Sequence, residues 1–215
     1  MMKINLKLTL IGLTLLLIPL ATSCSHSSNE ISDAPAFITI LQDSPHTGTF
    51  KDLHLGELLY YNLNLTEADK SWIEFYAESY EDGELADPPR MMELSTGLFL
   101  EPEHEGPFGW SVLFPNSDAA AMLMFLGDVF ASNDADQSMF SLPEGGISTW
   151  NQAYAPGDTV PLHYGETLVL AAYRVNERSL HPYNLQDSAE LERMIQEEKK
   201  VYLLKINLEE NPPDH

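Results

Sequence analysis

Hydrophobic and polar residues alternate along much of the chain after residue 36, with the period of two that marks β-strands. In the clearest segment, 72–80, the residues Ile73, Phe75 and Ala77 share one face, while acidic and aromatic side chains share the other. One apolar and one polar face are typical of a half-buried antiparallel strand. Strands are predicted at 37–41, 58–65, 72–80, 91–100, 108–114, 160–162, 167–175 and 201–208. The last strand is apolar on both faces in its first half, which predicts a central position in a sheet.

A helix is predicted at 187–200, where the apolar residues no longer alternate with a period of two. Asp187 and Glu190 have the spacing of a capping box. A single apolar stripe follows, made of Leu191, Met194 and Ile195. Lys199 and Lys200 stand at the end of the segment, where positive charge complements the helix dipole.

The segment 118–130 is open to two interpretations. Its alanines, methionines and leucine favour a helix, but the apolar run has no clear period and also fits a buried strand. Many short strands with one or two helices, one of them near the C-terminus, predict a mainly β, antiparallel, β-sandwich-like domain. The prolines assigned to connections between strands are Pro88, Pro89, Pro102, Pro107, Pro115, Pro143, Pro156 and Pro161.

The N-terminal segment has the features of a secretory signal peptide. Lys3 and Lys7 precede an apolar stretch at 8–20, which is shorter than the roughly 20 residues that a membrane-spanning helix needs. Small side chains at Ala21 and Ser23 fit a cleavage site after residue 23. Residues 1–23 are therefore predicted to be removed.

Cys24 follows this cleavage site and is the only cysteine of the chain. A lone cysteine forms no internal disulfide, and a lipid attached to its sulfur would remove an exposed thiol. The segment resembles a bacterial lipobox, with Ala21 where leucine is usual. We expect a lipidated Cys24 that anchors the protein to the cell membrane or outer membrane, outside the cytoplasm. The alternative is a secreted protein with an unpaired cysteine.

Domain organisation follows from this anchor. The polar residues 24–36 are predicted to form a flexible tether, 37–210 a single β-rich domain and 211–215 a disordered tail. Loss of Lys3 and Lys7 with the signal peptide takes the net charge from −22 to −24. So acidic a surface repels nucleic acid, which is therefore excluded as a partner.

Several segments resemble a group of uncharacterised bacterial envelope lipoproteins. The residues that carry this resemblance are Lys70-Ser71-Trp72, Glu93-Leu94-Ser95-Thr96-Gly97-Leu98, Gly145-Gly146-Ile147-Ser148-Thr149-Trp150, Gly165-Glu166-Thr167 and Ala172-Tyr173-Arg174. The resemblance implies an envelope lipoprotein and no assigned activity.

No short catalytic or cofactor-binding motif occurs in the sequence, and no cofactor is predicted. Two clusters have the residue types of metal ligands: Glu101, Glu103, His104 and Glu105, and Asn133, Asp134 and Asp136. We interpret both as solvated acidic loops, and no metal site is predicted. Arg174 ends an apolar strand and is expected to pair with a carboxylate for stability.

The polar face of the strand at 72–80 is the candidate binding surface. It carries Trp72, Glu74, Tyr76, Glu78 and Tyr80, and aromatic rings that alternate with carboxylates are a common arrangement for binding sugars. The competing interpretation is that these side chains cover neighbouring strands.

Two functions remain open at this point. The first is a lipid-anchored binding or interaction domain, without catalytic activity, for a carbohydrate or an envelope protein partner. The alternative is an envelope-associated hydrolase that uses paired carboxylates.

Overall fold

The computed structural model describes residues 33–41, 43–115, 117, 120–133, 146–177 and 181–212. The predicted signal peptide, Cys24 and the first part of the tether lie outside these ranges, as do residues 213–215. Ala34 is already buried, and its carbonyl accepts a hydrogen bond from the Thr66 hydroxyl at 3.0 Å. The packed domain therefore begins slightly before residue 37.

The described part of the chain forms eleven strands and two helices. In chain order they are β1 (Ala36–Leu41), α1 (Pro45–Asp52), β2 (Leu58–Leu65), β3 (Ser71–Glu81), β4 (Glu84–Gly97), β5 (His104–Leu113), β6 (Ala121–Leu126), β7 (Val129–Asn133), β8 (Ile147–Gln152), β9 (Thr159–Leu162), β10 (Glu166–Asn176), α2 (Ser188–Glu197) and β11 (Lys200–Glu210). Neither helix is long and apolar enough to cross a membrane.

The strands form two antiparallel sheets that pack face to face. The first has the order β7-β6-β5-β2-β1-β9 and the second the order β4-β3-β11-β10-β8. Phe75 of β3 meets Phe108 of β5 edge to face, with ring centroids 4.8 Å apart, and so joins the two sheets through the core. The prediction of a mainly β, sandwich-like domain with a helix near the C-terminus is confirmed.

Strand β11 has a neighbour on each side, β3 and β10, which confirms its predicted central position. Tyr202 and Leu204 lie in the core between the sheets. Val201 and Leu203 point to the opposite face, where α2 covers them with Met194. Both faces of the strand are apolar at its start because both faces are covered there.

A buried ion pair lies beside this second apolar cluster. Arg174 Nη1 of β10 donates to Glu198 Oε1 at 2.6 Å, and the two side chains are 2% and 0% exposed. Arg174 Nε also donates to Asn151 Oδ1 at 3.0 Å. The expected carboxylate partner of Arg174 is therefore Glu198.

Helix α2 begins as predicted but ends early. The Asp187 side chain accepts hydrogen bonds from the backbone of the first helical turn, whereas Glu198 has extended backbone. Lys199 pairs with Asp82 at 2.7 Å, and Lys200 begins β11. The prediction that these lysines lie in the last helical turn is wrong, because Lys199 lies in the connection after α2 and Lys200 is the first residue of β11.

The ambiguous segment 118–130 forms strands where the structure describes it. Met122, Met124 and Leu126 of β6 are buried in the core, and β6 pairs with β5 in register Trp110↔Met124. Pairing with β5 and burial in the core outweigh the weak helix propensity of these residues.

The other helix, α1, was not predicted. It has no apolar period in its sequence, because none of its residues is buried. The available signal was local. Ser44 caps the helix by accepting from Thr47 N, and Pro45 stands in its first turn.

Four prolines predicted to lie in connections are in strands instead. Pro88 and Pro89 lie in β4 and Pro161 lies in β9, both of which are edge strands. Pro107 of β5 lies just beyond the last residue pair of β6, Phe108↔Leu126. A missing N–H is tolerated where a strand has a neighbour on one side only. Pro143 is outside the described residues.

Candidate functional site

The acidic residues of the predicted binding face already have partners within the protein. Arg90 of β4 donates to Glu74 at 3.4 Å and to Glu93 at 2.7 Å. Its guanidinium lies 3.9 Å from the centre of the Tyr76 ring, which is only 6% exposed. Arg90 therefore covers Tyr76, which favours a structural role for that ring.

The other half of the face is similarly engaged. Glu78 pairs with Lys205 of β11, and the Tyr80 hydroxyl donates to the same carboxylate. Tyr80 also packs against the apolar cluster beneath α2. Trp72 is partly buried at the other end of β3. These five residues share one face, as predicted, but their hydrogen-bonding groups are largely used within the sheet.

The cluster at 101–105, which has the residue types of metal ligands, does not converge on a site. The His104 ring stacks on Phe99 at 3.8 Å, and Glu105 accepts from Asn62 at 2.7 Å. Within the described ranges, no three His, Cys, Asp or Glu side chains come together as metal ligands. Asp134 and Asp136 lie outside those ranges.

A large cavity opens at one end of the sandwich. The pairing of β1 with β2 stops at Leu41↔Tyr60, so the first residues of β2 extend beyond the end of β1. The cavity there has a volume of about 1030 Å³ and is bounded by α1, the start of β2, β8 and β10. We call it the Glu57 cleft, defined by Asp43, Lys51, Glu57, Tyr61, Trp150 and Gln152.

The period of β8 explains why this end of the sandwich is polar. Trp150 pairs with Tyr173 of β10 and contacts the buried Trp110, with ring centroids 4.8 Å apart. The inner face of β8 therefore carries Trp150 together with Ser148 and Gln152, two residues away on either side. Inner positions of a β-sandwich are normally apolar, so these polar residues mark an opening in the core.

Tyr61 lies at the floor of the Glu57 cleft. The residue is 1% exposed, and its ring stacks on Phe108 with centroids 4.9 Å apart. Its hydroxyl has no hydrogen-bond partner among the described residues. Burial, with a smaller contribution from the charge of Glu57, raises the pKa of Tyr61 far above its usual range. An unpaired buried hydroxyl costs about 1–3 kcal/mol.

Glu57 lies at the mouth of the cleft. The residue is exposed to solvent, and partial desolvation of its carboxylate raises its pKa above the ordinary value of 4.5. No ion pair or side-chain hydrogen bond engages this carboxylate within the described part of the chain. It is therefore free to interact with a ligand, in contrast to Glu74 and Glu78.

The turn between α1 and β2 holds Glu57 in place. Gly56 has φ +133°, and a Cβ there would lie 2.3 Å from the carbonyl oxygen of Val112. Phe114 N donates to Leu55 O at 2.7 Å and ties the same turn to the end of β5. Only glycine allows so close an approach, so the position of Glu57 depends on it.

A second, smaller cavity of about 480 Å³ continues the cleft along β8. It shares Glu57, Trp150 and Gln152 with the larger cavity and adds Tyr154 and Pro156. Together the two cavities form a groove in which Trp150 stands at the junction.

Sequence reasoning missed this site because its residues are unremarkable in isolation. Strand β8 was not predicted, and Glu57 precedes a strand without belonging to any motif. The one available signal was a charged residue in phase with the inward-facing Leu59 and Tyr61.

Comparisons with protein-family models, with curated proteins and with solved structures return no significant match. Function is therefore inferred from the residues of the cleft and from the N-terminal sequence.

Proposed function

We propose that this protein is a lipid-anchored binding protein of the bacterial cell envelope, with the Glu57 cleft as its ligand site. The signal-like segment followed by Cys24 supports an anchor on the outer side of a membrane. The cleft supports binding, because a concave site with aromatic walls and a few polar groups is the usual form of a small-molecule pocket.

The observation that carries the proposal is the cavity of about 1030 Å³ that enters the core beside Trp150 and has at its mouth Glu57, which pairs with no other described side chain. The volume of the cavity is near the upper end of the range of small-ligand sites, and Tyr61 and Trp150 give it aromatic walls. The outer face of β3 is a weaker candidate, since Arg90 and Lys205 already engage its carboxylates.

The binding proposal is tested by a thermal-shift screen of the mature protein against neutral sugars, polyamines, nucleosides and fatty acids. A ligand at one hundred times its Kd should raise Tm by about 5–10 °C. The rise should be reduced in Glu57→Gln and retained in the matched control Glu74→Gln. A screen in which no compound distinguishes the two variants would contradict the proposed site.

The anchor is tested separately by metabolic labelling with an alkyne fatty acid. We expect label on the wild type and none on Cys24→Ala, which should appear in the soluble fraction. A wild type without label would refute lipidation and leave the secreted alternative.

A hydrolase that uses paired carboxylates is the second candidate function. Asp43 and Glu57 line the same cleft, and a raised pKa is what a general acid needs. The test is release of new reducing ends from oligosaccharides, which should disappear in both Asp43→Asn and Glu57→Gln. If the wild type releases none, the hydrolase candidate is refuted and binding is left as the function.

A further inference from the structure

The charges around the Glu57 cleft favour a neutral ligand. Asp43 and Glu57 line it together with Lys51, so that charge of both signs surrounds the opening. Lys51 makes no ion pair with another described residue. The two carboxylates and the net charge of −22 disfavour an anion, while Lys51 disfavours a compact cation.

Hydrogen-bonding groups in the cleft favour hydroxyl groups on the ligand. Gln152 and Lys51 supply N–H donors, and the carboxylates of Asp43 and Glu57 supply acceptors. A hydroxyl both donates and accepts, so a ligand with several hydroxyls can pair with donors and acceptors in any order. An apolar ligand would leave these groups desolvated and unpaired.

Trp150 provides a rigid aromatic wall for such a ligand. Its ring is half-buried and held by Trp110, with an interplanar angle of 82°, and by Tyr173 at 4.9 Å. The same ring lines both cavities of the groove. An aromatic ring fixed in this way can pack against the C–H groups of a sugar with little loss of side-chain entropy.

The volume indicates more than one sugar unit. Small-ligand sites usually have volumes of roughly 300–1000 Å³, and the larger cavity alone reaches the upper end of this range. The smaller cavity extends the site along β8. We propose that the ligand of the Glu57 cleft is a neutral oligosaccharide that spans both cavities across Trp150. This inference rests on the proposed binding function and specifies its ligand class.

The experiment titrates mature protein with maltotriose, cellotriose and tri-N-acetylchitotriose, followed by calorimetry and tryptophan fluorescence. Spermidine, citrate and decanoate represent cationic, anionic and apolar ligands. We expect saturable binding of at least one trisaccharide, with a change in fluorescence from Trp150. The trisaccharide should bind more tightly than its monosaccharide, because only the longer ligand reaches both cavities.

Matched variants locate the site. Trp150→Phe and Glu57→Gln should each weaken trisaccharide binding by at least about tenfold, the effect of losing one well-placed contact. Trp72→Phe and Glu74→Gln on the outer face of β3 should leave it unchanged. Because Glu57 is at a partly exposed rim, its variant should fold even if Trp150→Phe does not.

Each other outcome is informative. Binding of only a charged or apolar probe, with sensitivity to Glu57→Gln, would overturn the oligosaccharide inference and leave the proposed binding function standing. If Trp72→Phe abolishes trisaccharide binding, the sugar binds on the outer face of β3, and the assignment of the cleft as the sugar site is refuted. If Glu57→Gln changes the binding of none of the six probes, both proposals fail.

Discussion

Removal of the Tyr61 hydroxyl should stabilise the protein, although most substitutions in a core destabilise it. The hydroxyl is buried and has no hydrogen-bond partner among the described residues. Folding therefore strips it of water without compensation, at a cost of about 1–3 kcal/mol. Tyr61→Phe deletes this group and keeps the ring that stacks on Phe108.

The opposing effect is small. Removing one oxygen leaves a void of roughly 10 Å³, which costs about 0.2–0.3 kcal/mol at 24 cal/mol per Å³. The net expectation for Tyr61→Phe is a gain of about 1–2 kcal/mol in the free energy of unfolding. For a chain of this size the gain corresponds to a rise in Tm of about 2–8 °C.

Urea unfolding followed by tryptophan fluorescence measures this change, and calorimetry provides the Tm. Tyr183→Phe is the matched control, because the buried Tyr183 hydroxyl donates to Glu197 Oε2 at 2.7 Å. The control should lose about 1–2 kcal/mol, since its acceptor is charged. A loss of about 1 kcal/mol or more in Tyr61→Phe would refute the reasoning, because it would mean that the hydroxyl is paired in solution.

Three further predictions concern the ion pair and the cleft. Glu198→Ala should lower the free energy of unfolding by about 3–5 kcal/mol in urea titrations, because it leaves the Arg174 guanidinium buried without its carboxylate partner; a loss below about 1 kcal/mol would contradict this. Gly56→Ala should destabilise the protein and weaken ligand binding together, since the added Cβ would meet Val112 O at 2.3 Å, and unchanged Tm would show that the turn adapts. Burial raises the folded-state pKa of Glu57, so its contribution favours folding below about pH 4.5 and is lost as pH rises through the folded pKa. Glu57→Gln should therefore stabilise the protein more at pH 7 than at pH 4 relative to wild type, and an equal effect at both would refute the shift.

Local sequence patterns were sufficient to predict most of the strands of the sandwich. Strands β2, β3, β10 and β11 were predicted within about two residues, because alternation with one or two covered faces is a property of each strand by itself. The start of α2 followed from Asp187 for the same reason, since a cap acts on the turn next to it. The signal-like segment and Cys24 are local features as well, and lipidation stays a prediction from them.

Other elements depended on their neighbours in space. The segment that forms β6 has the composition of a helix and becomes a strand by pairing with β5. Pro88 and Pro161 lie in strands because β4 and β9 are at the edges of their sheets, and edge positions cannot be assigned before the sheet order is known.

The candidate site is the extreme case of this dependence. Glu57 directly precedes β2 of the first sheet and Trp150 lies in β8 of the second, and neither has a neighbour in sequence that indicates a ligand site. The cleft exists because β1 ends at the pair Leu41↔Tyr60, which leaves the first residues of β2 without that neighbour, and because β8 turns polar residues toward the core. The face of β3 that the sequence singled out has its carboxylates engaged by Arg90 and Lys205, which the alternation along one strand cannot reveal. Sequence periodicity determines which side of a strand is buried, but the packing of the two sheets decides which side chains remain available to a ligand.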